Sequence, residues 1–86
     1  SYRLVSLVHL LELYLKKGDD KMAKTTQEQL EMSSTLRKLK EKFPEEGFKA
    51  ENYIALQWMK QGRYKEALKK YRNLQTEATV HYQHRF

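Results

Sequence analysis

Three groups of side chains have the types and spacing for chemistry. His81 and His84 stand three apart, and two imidazoles on one helical turn can share a metal ion. They have no third ligand beside them, and a chain without cysteine has no thiolate to offer, so the pair reads as a tail without a ligand role. His9 precedes Glu12 by three residues, a spacing that can pass a proton, yet no nucleophile is placed to use it. Ser33, Ser34 and Thr35 near Arg37 offer hydroxyls for phosphorylation, which composition alone never demonstrates. The chain contains no glycine-rich phosphate loop, Gly-x-Ser-x-Gly or His-Glu-x-x-His pattern. The expectation is a protein that is not an enzyme and holds neither metal nor cofactor.

Charge points to binding instead. The 17 Lys and Arg against 11 Asp and Glu leave a formal net charge of +6, a bias toward acidic peptides, nucleic acids or anionic membrane surfaces. Lys65, Lys69 and Arg72 form a basic stripe, and Trp58, Tyr64, Tyr71 and Tyr82 supply rings of the kind that stack on bases. Helical phase places Tyr64 and Tyr71 on the face of Ala67, Leu68 and Leu74, where they should be buried. That leaves Lys65, Lys69 and Arg72 as a solvated stripe, with contact to RNA or DNA phosphates as the alternative function.

The elements that must carry these residues are helices. Three glycines, one proline (Pro44) and a third of residues charged favour helix over sheet, and 86 residues make one domain. Residues 2 to 17 are apolar nearly all round, with a polar strip of His9, Glu12 and Lys16, so this helix must be covered on more than one side. Its apolar run is about half the roughly 20 residues a bilayer needs, and no membrane span is expected. No small-residue cleavage site follows Lys16-Lys17-Gly18. Gly18 ends the helix, and Asp19 or Asp20 can cap the next. Residues 20 to 42 read as one helix of about six turns. Its seam is Ala23, Leu30, Leu36, Leu39 and Phe43, and Ser33 to Thr35 mark a soft spot where it bends or breaks. Pro44 to Gly47 read as a connection, 48 to 61 as a helix, Gly62 as a turn, 63 to about 79 as the last helix, and 81 to 86 as its last turn or a tail.

Ile54, Ala55, Trp58, Gly62, Tyr64, Ala67 and Tyr71 together resemble the tetratricopeptide repeat, a helical hairpin with a small residue at the close contact and a glycine at the turn. The chain departs from that pattern at Glu51, where the family favours Trp, at Leu74, where it favours a small residue, and at Thr79, where Pro is common. Leu10, Leu11, Tyr14, Gly18 and Ala23 fall in register on Ile54, Ala55, Trp58, Gly62 and Ala67, an earlier and weaker copy. The turn glycines lie 44 residues apart against roughly 34 in the ordinary repeat, which the long second helix absorbs. In this the chain is similar to the long-repeat members found in kinesin light chains and bacterial peptide-sensing regulators. The resemblance implies an all-α fold of four helices in two antiparallel hairpins, about 2 to 43 and 48 to 80, the first with an extended second helix.

In arrays of this family the first helices line a concave groove. The positions carried over are Val5, Val8, Glu12, Leu15 and Lys16, then Lys49, Asn52, Leu56, Met59 and Lys60. Apolar side chains with lysines at the margins suit a peptide or partner helix with hydrophobic anchors and acidic charge. The asparagine clamp that some members use on carboxylates would fall at Glu12 and Leu56, neither of which donates an amide. The resemblance therefore implies a protein-protein interaction module, a scaffold or adaptor segment, and the absence of cysteine fits an intracellular place in cytoplasm or nucleus. Two units seldom bury enough surface to stand alone, so neighbouring repeats of a longer chain or a homo-oligomer are expected as well.

Overall fold

In a computed structural model of the chain, residues 2 to 85 are described, with side chains through residue 78. They form five helices: α1 (Tyr2–Lys17), α2 (Asp20–Glu31), α3 (Ser33–Lys42), α4 (Pro44–Lys60) and α5 (Tyr64–Arg85). No strand occurs among the described residues.

The two turn glycines close their helices in the same way. Among the described residues Gly18 (φ 74°) and Gly62 (φ 81°) are the ones with positive φ, a conformation in which a Cβ would collide with the backbone. Asp19 N donates to Tyr14 O at 3.0 Å and Gly18 N to Leu15 O at 3.2 Å; Arg63 N donates to Trp58 O at 2.8 Å and Gly62 N to Met59 O at 3.2 Å. Both are Schellman closures, satisfying carbonyls that a helix end otherwise leaves bare. After the first turn the Asp19 carboxylate accepts from Met22 N at 3.2 Å, capping α2. After the second, Arg63 lies beside Glu66 instead, with Nε 3.0 Å from Oε1.

The expected four helices are five, because residues 20 to 42 do not run as one. Met32 adopts an extended conformation (φ −58°, ψ 126°) between α2 and α3. Packing supplies the reason. Leu30 and Leu39 are both fully buried in the same core, yet nine residues at about 100° each would put them on opposite faces of a continuous helix. A break at Met32 turns α3 so that both rows reach the interior. The break falls at the edge of the Ser33 to Thr35 segment.

The connection expected at Pro44 to Gly47 is the first turn of α4. Pro44 stands at the start of the helix, where its missing N–H is not needed, and Glu45 and Glu46 lie at the positive end of the helix dipole. Gly47 is buried where α4 crosses α3: a Cβ there would sit 2.8 Å from Lys40 Cγ and 2.9 Å from Lys40 Cα. Only a residue without a side chain allows this approach.

Helix α4 packs against each of the other four. Around it Val8, Leu11, Leu30, Leu39 and Ile54 are fully buried, each stabilising the fold by about 1.5–3 kcal/mol. Ala23 and Ala67 are also fully buried. Three residues of the expected buried face are not: Tyr64 is 58% and Leu68 52% exposed, and Tyr71 is only half-buried. Helix α5 packs by its backbone on α4 alone, so it buries a narrow stripe of Ala67 and Leu74 and leaves the neighbouring row in solvent. It also runs to Arg85, past the expected end near 79, while the side chains of His81 and His84 lie outside the described residues.

Gly47→Ala should gain helix propensity and still lose stability. The Lys40 backbone cannot yield without moving α3, and a loss of about 1–3 kcal/mol is expected in urea unfolding. A variant as stable as the parent would show that α3 and α4 do not approach so closely.

Candidate functional site

The groove positions lie along α1 and the outer rows of α4. The two helices are tied by Tyr53, whose hydroxyl donates to Glu12 Oε2. Lys16 Nζ lies 3.9 Å from the other Glu12 oxygen. The Tyr53 bond holds the Glu12 carboxyl below the usual carboxylate range against the opposing effect of partial burial, with Lys16, Lys49 and His9 adding positive charge. The same bond, with burial and the charges of Glu12 and Glu46, pushes the Tyr53 hydroxyl up to about 12. Glu46 Oε2 is buried without a hydrogen-bond partner among the described residues.

The groove residues do not share one environment. Val8 is fully buried in the core, so its side chain is unavailable to a partner, contrary to expectation. Every third or fourth residue of α1 points inward, and Val8 is in phase with Leu11 rather than with the open face. Val5, Leu15 and Lys49 are half-buried, and Lys16 is exposed. Asn52 uses its side-chain amide on its own helix, donating to Phe48 O at 2.9 Å. Leu56 and Met59 are open, 40% and 36% exposed, and Lys60 is exposed beside them. Phe48, at 37% exposed, continues this row and was not among the expected residues. Its signal was its spacing, four before Asn52 and eight before Leu56.

Sequence reasoning also missed a polar network between α2 and α4. Gln27 is buried, and its Oε1 accepts from Gln61 Nε2 at 2.9 Å and Gln57 Nε2 at 3.3 Å. Trp58 Nε1 donates to Glu31 Oε1 at 2.6 Å. The Trp58 ring is faced by the Arg63 guanidinium at 4.6 Å and the Lys70 ammonium at 5.1 Å. The available signal was a polar residue in an apolar phase, since Gln27 lies four after Ala23 and three before Leu30. Glu51 shows the same signal on α4. It is 5% exposed, with Lys40 Nζ at 2.7 Å from Oε1 and Lys70 Nζ at 3.6 Å from Oε2. The approach of Lys40 is close in distance but outside the angles of a well-formed hydrogen bond, so the contact is one of charge. Lys40 also meets Glu77 at 3.4 Å, tying α3 to α5, and its proton is held more firmly than usual chiefly by Glu51.

Lys65, Lys69 and Arg72 are exposed on α5. They make no ion pair among the described residues. No family model, curated protein or solved structure matches this chain. Among the described residues no helix is long and apolar enough to cross a membrane, and no group of three or more His, Asp or Glu could hold a metal ion.

Two measurements check this geometry. In an absorbance titration one tyrosine should ionise near pH 12 and vanish in Tyr53→Phe. Because the folded state raises this proton affinity, its stabilising contribution is complete below the ordinary tyrosine range near 10 and is lost as pH climbs through the folded value. The Glu12 contribution runs the other way, present above the ordinary carboxylate range and lost as pH falls through its lowered value. Tyrosines that all ionise together near pH 10 would contradict the Tyr53 bond. Glu51→Gln should cost about 1–3 kcal/mol in denaturant, less than for a fully dry pair because Lys40 reaches solvent. No loss would show that the carboxylate is not what holds Lys40 and Lys70.

Proposed function

We propose that the chain is a pair of tetratricopeptide-like helical hairpins that acts as a protein-protein interaction module, taking a partner helix or peptide along the open row of α4. The observation that carries this reading is the exposure of Leu56 and Met59, at 40% and 36%, on the one helix that every other helix packs against. An apolar row on a rigid central helix is preorganised for binding, since seating a partner there requires little reordering. Lys60 is exposed at the end of this row and Lys16 is exposed on α1, and the net charge of +6 favours a partner whose apolar anchors are flanked by Asp and Glu. Such a partner would serve a scaffold or adaptor role without chemistry at the site.

One observation favours a second reading, binding of RNA or DNA by Lys65, Lys69 and Arg72. Tyr64, expected to be buried, stands exposed beside this stripe and is free to stack on a base.

Fluorescence anisotropy separates the two. A labelled amphipathic peptide with leucines at helical spacing between glutamates should bind, and Leu56→Asp or Met59→Glu should weaken it about tenfold or more, roughly 1.4 kcal/mol. Lys65→Glu with Lys69→Glu should leave that affinity unchanged. A peptide that does not bind, or that binds Leu56→Asp equally well, would contradict the groove. A single-stranded RNA probe that binds in a strongly salt-dependent way and is lost in the Lys65 and Lys69 variants would establish the second reading.

A further inference from the structure

The shift of 44 residues that superposes the two turns also relates two surfaces of the molecule. Helix α4 docks on α1 and α2 with one face: Tyr53 bonds Glu12, Gln57 bonds Gln27, and Trp58 bonds Glu31. Ile54, on the same face, is fully buried in the shared core. Moved back by 44, this docking face becomes His9, Leu10, Leu13 and Tyr14 of α1. There it meets no other helix so completely: Leu10 is 39% and Leu13 44% exposed, His9 is exposed and Tyr14 half-buried.

The receiving surface has an open counterpart too. Glu12 and Gln27, two of the side chains that accept α4, become Leu56 and Tyr71 when moved forward by 44. Leu56 is 40% exposed and Tyr71 half-buried, with Leu68, 52% exposed, on the turn before it. One molecule therefore carries both halves of an interface it has already built once internally. The two halves use different residues, and α5, which carries Leu68 and Tyr71, packs on α4 and, among the described residues, has no helix contact with α1.

We propose that a second copy of this chain seats the Leu10 and Leu13 face of its α1 on the surface of Leu56, Leu68 and Tyr71, continuing head to tail the packing of α4 on α1 and α2. The occupant follows from complementarity of the two faces. Where Gln57 meets Gln27 inside one chain, Leu13 of the incoming copy would meet Tyr71; where Tyr53 meets Glu12, His9 would meet Leu56. Polar pairs of the internal joint become apolar or mixed pairs, suited to burial between molecules. Such an interface is heterologous and does not close on itself, so association adds copies in a row rather than stopping at a dimer. It shares only Leu56 with the proposed groove, and the test avoids that residue.

Sedimentation velocity of the chain should show an average mass that rises continuously with concentration. Leu13→Glu blocks the α1 face and Leu68→Glu the α5 face, and both sites are exposed enough for each variant to keep its helical circular dichroism. Each variant alone should be monomeric. Mixed in equal amounts they should form a dimer and nothing larger, because one intact face of each kind remains. A parent chain that stays monomeric up to about 1 mM, where an interface this specific must register, would overturn the proposal. So would a closed dimer that survives in either single variant, or an equimolar mixture that remains monomeric. These results are independent of whether the acidic peptide binds along Leu56 and Met59.

Discussion

The burial of α4 against all four other helices is the constraint from which the rest of the structure follows. A single 17-residue helix can be surrounded only if the chain reverses before and after it and bends alongside it. Gly18 ends α1, which packs on α2 so that both meet α4, and Gly62 ends α4 before α5, which packs on it in turn. Met32 turns α3 so that Leu39 joins Leu30 in the core. Gly47 lets α3 lie within backbone distance of α4. None of these positions tolerates an ordinary helical residue in continuous helix without displacing α4.

The helix so enclosed is not wholly apolar. Glu51 is held between Lys40 and Lys70, and Gln57 with Trp58 reaches Gln27 and Glu31 on α2. Replacing such groups by well-packed hydrophobes often leaves stability unchanged, so their contribution is better sought in register. An apolar helix can slide or rotate against its neighbours at small cost. An indole that must find one carboxylate and a buried amide that must find another fix both rotation and position. That fixed register sets the outer row of Phe48, Leu56 and Met59 toward solvent, the feature on which the proposed binding role depends.

Much of this was legible in the residues. Both turns were, because a glycine after an apolar helical run has a specific physical use in the left-handed region, and Gly18 and Gly62 realise it with matching hydrogen bonds. Ala23 and Ala67, which fall in register after the two turns, are both fully buried. The break at Met32 was harder to place, since Ser33 to Thr35 mark weakness without saying whether tertiary packing exploits it; the opposed phases of Leu30 and Leu39 were the better guide. Pro44 suggested a connection when it opens a helix, as a proline at a first turn does at no loss. Tyr64 and Leu68 have core-like spacing, but α5 has a helix on only one side to bury them. Val8 was placed in the groove by family position although its phase with Leu11 pointed inward. Gln27 and Glu51 show what periodicity alone cannot decide: whether a polar residue on an apolar seam is an interruption or one end of a bond to another helix.

The joint between α2 and α4 can be tested through a single proton. Trp58 is the chain's only tryptophan, so its indole N–H gives one resolved signal in a proton spectrum. Held at 2.6 Å on Glu31, with two cations over its ring, it should exchange with solvent about a hundredfold more slowly than free indole and speed up in Glu31→Ala. An indole proton that exchanges as fast as in an unfolded peptide, or that ignores the loss of Glu31, would show that α4 is not docked as described, and the open row built on that docking would lose its support.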